Sequence, residues 1–241
     1  MTKNIYESLL QLVVVLPMIL LFLKKFDKEN IKKILVFGLI FICYQILLNL
    51  PKHFGFLKII NGNWNWEGKI LGILFGIICY FLFHHLFVEH DYFRLRQDKT
   101  YFKKASIVSL IVVVCATIIW YVLGKSEFDL ESLAFQLTLP GIDEEIMYRG
   151  ILLGLLMSGL KGQVRFIGNP SLLISSVLFG IIHALKLNES FTPNFNLIYF
   201  LQTGLAGYAW GWATIKSRSI VLAMASHNFS NFFGTLAMMI K

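Results

Sequence analysis

The sequence predicts an all-α fold, a polytopic membrane bundle of about eight transmembrane helices. Three observations predict it. Apolar residues make up 56% of the 241 and charged residues only 15%, where a soluble domain carries about 25% charged residues. The apolar residues gather into eight runs near the length a helix needs to cross a bilayer, about 20 residues with a range of about 17–25. The lysines and arginines behind the net charge of +8 fall mainly in the short stretches between those runs. That distribution encodes topology and not a basic groove, so the expected surroundings are the lipid bilayer, with no nucleic acid as a partner.

The runs follow in order. Leu9–Leu23 has only Lys3 before it and no small-residue cleavage site after it. Lys24, Lys25 and Lys28 then stop it, so it reads as a first membrane helix and not as a signal peptide. Ile34–Leu50, Ile70–Val88 and Ile107–Leu123 follow. Ahead of the third run, Trp64-Asn65-Trp66-Glu67-Gly68 reads as an interfacial segment, because tryptophan favours the headgroup layer. From Lys125 to Gly141, Glu127, Asp129 and Glu131 stand beside Leu130, Leu133, Phe135 and Leu137. This predicts a surface-lying helix that Pro140 and Gly141 break before the next one starts. The remaining runs are Ile142–Leu160, Leu172–Leu187, Leu197–Ile215 and Ile220–Ile240.

No repeat or linker divides the chain. The expectation is a single integral membrane domain over 1–241, with four helices in 1–123 and the polar helices in 140–241. Cys43, Cys79 and Cys115 each sit inside an apolar run without metal-ligand spacing, as small packed side chains do. Gly150 with Gly154, and Gly207 with Gly211, are four apart and mark close helix approach. Basic residues after the odd-numbered runs outnumber those on the opposite side two to one, which places both termini outside the cytoplasm.

Ionisable groups at membrane depth are expensive and read as functional. Asp143, Glu144 and Glu145 open the fifth run. Glu145 and Arg149 are spaced i, i+4 with the acid first, the favourable order on a helix. Glu144 lies about 100° round the helix from Glu145, which leaves it unpaired and able to deprotonate a water. The alternative is that the three acids complement a helix dipole. On the sixth run His183 follows Phe179 by one turn; alone, such a histidine is more often a packing residue. On the eighth, His227 and Asn231 share a face and could hold a water, a metal or an oxyanion, or bond between helices. His84 and His85, near Glu89, His90 and Asp91, read as interfacial.

In chain order these residues spell E-E-x-x-x-R (Glu144, Glu145, Arg149), F-x-x-x-H (Phe179, His183) and H-x-x-x-N (His227, Asn231). The sequence resembles the CAAX protease and bacteriocin-processing (Abi) family of intramembrane proteases over about Pro140 to Gly234. The resemblance implies an endopeptidase that hydrolyses a peptide bond of a membrane-associated peptide or protein. It makes Glu144 the base that activates water, with His183, His227 and Asn231 completing the catalytic site. Glu145, Arg149 and Phe179 support them. Two mechanisms fit. In one no cofactor is required, and His227 with Asn231 stabilises the oxyanion. In the other His183 and His227 ligate Zn2+ with a carboxylate, and the metal lowers the water pKa to about 7. The first is preferred, because Glu144 cannot easily be both ligand and base.

Two other functions compete. The family also has members tied to bacteriocin self-immunity, so a non-catalytic immunity or scaffolding role is the second reading. A transporter is the third, but transporters tend to show repeats and broken helices in both halves. A compact chain of this kind points to a bacterial plasma membrane, with peptide precursors as plausible substrates.

Overall fold

The computed structural model describes residues 1–60 and 62–241. Helices dominate, in up-and-down order. They are α1 (Thr2–Leu21), α2 (Lys28–His53), α3 (Trp66–Phe83), α4 (Lys99–Leu123), α5 (Leu130–Glu145), α6 (Leu153–Gly159), α7 (Pro170–Ala184), α8 (Leu197–Ser217) and α9 (Val221–Met239). A π-helical segment, Ile146–Leu152, joins α5 to α6, so the chain from Leu130 to Gly159 is one helical rod. A short antiparallel pair, β1 (Leu185–Leu187) and β2 (Pro193–Phe195), links α7 to α8. The helix expected to reach Leu187 therefore ends at Ala184.

Among the described residues, four helices are long and apolar enough to cross a membrane: Thr2–Leu21, Lys28–His53, Trp66–Leu86 and Lys99–Leu123. The prediction of eight is met in helices, counting α5 to α6 as one, but not in spans of that kind. The later helices mix polar site residues into their apolar faces, and α7 has only 15 residues.

Two ends are well defined by backbone bonds. At one, Lys24 N–H donates to the Gly159 carbonyl, Lys161 N–H to Phe22, Asp98 N–H to Ser217 and Ile220 N–H to Tyr92. At the other, Ser126 N–H donates to Met238, and Glu7 accepts from Lys186 and from the Leu187 N–H. The most basic loops share the first end.

The largest correction concerns Pro140 and Gly141. They do not break the chain. A proline inside a helix removes one bond and crowds the preceding turn, at about 3 kcal/mol or more. Asn228 of α9 offsets this: its Oδ1 accepts the Gly141 N–H at 2.7 Å, and its Nδ2 donates to the Thr138 carbonyl at 2.9 Å. The helix begins instead at Asp129, whose carboxylate caps the N–H groups of Glu131 and Ser132. The segment is thus no separate surface helix.

The tryptophan segment packs on the start of α5. Trp64 stacks on Phe135 at 4.8 Å and donates its indole N–H to Ser132, while Trp66 donates to Glu131. These bonds use the indoles to clamp the start of α5.

The glycine pairs serve different contacts from those expected. Gly150 and Gly154 face Phe93 and Phe87 of the loop before α4. Gly207 faces Arg149 and Phe179, and Gly211 faces Leu172, so only the α8 pair brings α8 close to α7.

Candidate active site

The rod from α5 to α6 carries the acids in its middle. Asp143, Glu144 and Glu145 lie more than three turns after the helix start, so they cannot complement its dipole, which acts within the first turn. Asp143, Glu145 and Arg149 are each 0% exposed. The π segment begins directly after Glu145. Such segments recur at functional sites, because they change the phase of a helix locally.

Glu145 and Arg149 form the expected ion pair, NH1 to Oε1 at 3.0 Å. Arg149 also reaches the Gly207 carbonyl at 3.2 Å and lies 4.1 Å from the ring centre of Phe179. Glu145 has a second partner that spacing could not reveal: its Oε1 lies 2.9 Å from Nδ1 of His227. An ionised carboxylate only accepts, so that nitrogen carries a proton and Nε2 is left to face the cavity. His183 is fixed in the same sense. Its Nδ1 donates to the Phe179 carbonyl at 2.8 Å, one turn back, and its Nε2 is free. Trp210 stacks on the His227 ring at 4.1 Å, and its indole N–H bonds Ser226.

Glu144 completes the cluster. Its Oε2 lies 3.9 Å from Nε2 of His183 and 3.9 Å from Nε2 of His227. Those separations are too long for direct hydrogen bonds and suit a water between the groups. Its other oxygen, Oε1, is not free as the sequence suggested. The Lys69 ammonium of α3 sits 2.6 Å from it and 2.9 Å from Asp143 Oδ2. Tyr44 of α2 donates to the same Asp143 oxygen at 2.7 Å.

Glu144, His183, His227 and Asn231 all line one cavity of about 920 Å³, with Phe179, Trp210 and Lys69. Its walls come from α3, α4, α5, α7, α8 and α9, and it extends to Trp64, Ser126, Glu127 and Met239 at the less basic end. Asn231 is half-buried and lies one turn beyond His227. His84 stays outside, 3.4 Å from Asp91. Lys69, Tyr44, Trp210 and Asn228 are the site residues that sequence reasoning missed. Asn228 directly follows His227 in the sequence; the other three carry no local signal.

Glu144 and the two imidazole nitrogens are ligand types that zinc accepts. Yet Lys69 engages the glutamate, and among the described residues no group of three His, Cys, Asp or Glu side chains is arranged to hold a metal. As placed, the residues do not fit a resident zinc.

Fold and site together define an all-α membrane protein with a buried carboxylate–histidine cluster on a large cavity. Residues 126–233 match the family model described as Rce1-like, type II CAAX prenyl endopeptidase. The match spans all three motifs and less than half of the chain, and over that segment the chain is similar to this family of endopeptidases. No curated protein and no solved structure matches the chain.

Proposed function

We propose that the chain is an intramembrane endopeptidase that cleaves a membrane-associated peptide or protein with Glu144 as general base. The observation that carries this is the convergence of Glu144 Oε2 with both imidazole Nε2 atoms at 3.9 Å on the cavity. A water there donates one hydrogen to Glu144 and the other to an imidazole nitrogen. Glu144 takes its proton as the water oxygen adds to the scissile carbonyl carbon. The carbonyl oxygen becomes an oxyanion facing Asn231 and His227, which donates through Nε2 when its ring is doubly protonated. The tetrahedral intermediate then collapses, the C–N bond breaks, and the proton held by Glu144 passes to the leaving nitrogen. No metal is required in this scheme.

The test uses purified protein in detergent with internally quenched peptides, with and without an S-farnesyl cysteine. The native protein is expected to cleave a probe. Glu144→Gln and His227→Ala are expected to lose about 10²–10⁴ in rate while keeping a cooperative thermal transition. Native-like cleavage by either variant defeats the mechanism, and a native protein that cleaves no probe favours the non-catalytic reading. Chelation is expected to leave the rate unchanged. One tightly bound zinc per chain, lost together with activity, would instead establish the metal-dependent form.

A further inference from the structure

Among the described residues lining the cavity, Lys69 is the only lysine or arginine. It comes from α3, outside the segment that matches the family model. Its side chain is 13% exposed, as is that of Glu144. The ammonium divides the work of the glutamate between its two oxygens. Oε1 is held at 2.6 Å by Nζ, and this leaves Oε2 turned to His183 and His227. A carboxylate with a free χ3 would spread over a broad range of rotations. Here one oxygen is anchored.

The anchor is itself held. Lys69 Nζ also binds Asp143 Oδ2 at 2.9 Å, and that oxygen accepts from Tyr44 at 2.7 Å. Gly72, one turn further along α3, clears the way: a Cβ there would collide with Asp143 Oδ1. Tyr44, Asp143 and Lys69 thus form a chain from α2 through α5 to α3 that ends on Glu144. Charge compensation for two buried acids would require an ammonium nearby. It would not require one that engages a single oxygen of Glu144 and leaves the other to the histidines.

We infer that Lys69 is a positioning residue for the reaction, fixing the rotation of the Glu144 carboxylate so that Oε2 carries the water. The inference rests on the reading of Glu144 as the base. Misplacing a reacting group by about 1 Å costs on the order of 10²-fold. Lys69→Met is therefore expected to lower kcat by about 10²-fold with little change in KM, because the lost interaction serves the base and not substrate binding. Lys69→Arg, which keeps a cation and a fork of donors, is expected to recover most of that loss. In Lys69→Ala, ethylammonium added to the assay is expected to restore kcat, whereas an equal concentration of sodium is not.

Lys69→Met leaves two acids without their cation and could unfold the chain. The double variant Lys69→Met with Asp143→Asn removes one charge of each sign, so it keeps the kcat measurement open in a folded protein. A native kcat in the folded Lys69→Met or double variant, or a loss that appears only in KM, overturns the inference. So does failure of both Lys69→Arg and ethylammonium to recover kcat. If Glu144→Gln is as active as native, the reading of the base fails first. If Glu144→Gln is inactive while the Lys69 variants keep native kcat, the positioning role alone fails. A native protein that cleaves no probe takes both down together.

Discussion

The first four helices and the chain from Leu130 onward contribute to the site in different ways. The later part supplies the carboxylate and imidazoles that converge on the cavity, Glu144, His183 and His227, with Asn231 on the same wall, from α5, α7 and α9. The earlier part supplies none of these, yet it holds the other oxygen of Glu144 through Lys69 and steadies Asp143 through Tyr44. The residues of the later part have helical-spacing partners on their own helices (Glu145 with Arg149, Phe179 with His183, His227 with Asn231), so they write motifs. Groups that restrain them from a neighbouring helix need only one position each, and they write nothing.

Substitutions can break that comparison. After the loss of cleavage expected of Glu144→Gln, the next largest effect belongs to Arg149 in the later part. Arg149→Met leaves Glu145 buried without its partner, and breaking a buried pair costs about 3–5 kcal/mol. The expected result is a lower thermal midpoint in detergent, partly restored by adding Glu145→Gln. An unchanged midpoint would mean that the pair adds no net stability.

A smaller effect sharpens the comparison by testing one restraint from each part. Asn228→Ala removes the side-chain acceptor of the Gly141 N–H and a donor to the Thr138 carbonyl beside Pro140. Tyr44→Phe removes only the hydroxyl on Asp143. A buried group left without a partner costs about 1–3 kcal/mol, so Asn228→Ala should destabilise more than Tyr44→Phe, which leaves Lys69 on Asp143. Equal midpoints for the two would show that the kinked helix needs no staple from α9.

The last prediction concerns sidedness and perturbs the protein least. The cavity reaches the end opposite the most basic loops, which the positive-inside rule places outside the cytoplasm. Ser190, exposed at that end, and Gly162, exposed at the other, are suitable sites for single cysteines. Ser217 is 0% exposed and unsuitable. In a background without the three native cysteines, Ser190→Cys should react with an impermeant maleimide in intact cells, and Gly162→Cys only after permeabilisation. The opposite pattern would turn the molecule over and open the cavity to the cytosol, without touching the chemistry.

By itself the sequence determined the helical class, the order of the helices, the Glu145–Arg149 pair and the identity of the three motifs. Each rests on local periodicity: apolar runs of bilayer length, and partners four residues apart that one helix turn brings together. It also determined that Glu144 and Glu145 face different ways, since a step of one residue turns the helix by about 100°. Only the tertiary structure decided what each carboxylate meets. Lys69 is 75 residues from Glu144, His227 is 82 from Glu145, and Asn228 is 87 from Gly141. Such contacts depend on which helices pack side by side, and no periodicity within one helix encodes that. The same reason explains why Pro140 misled. Its local effect is to break a helix, and the amide that mends the break arrives from the other end of the sequence.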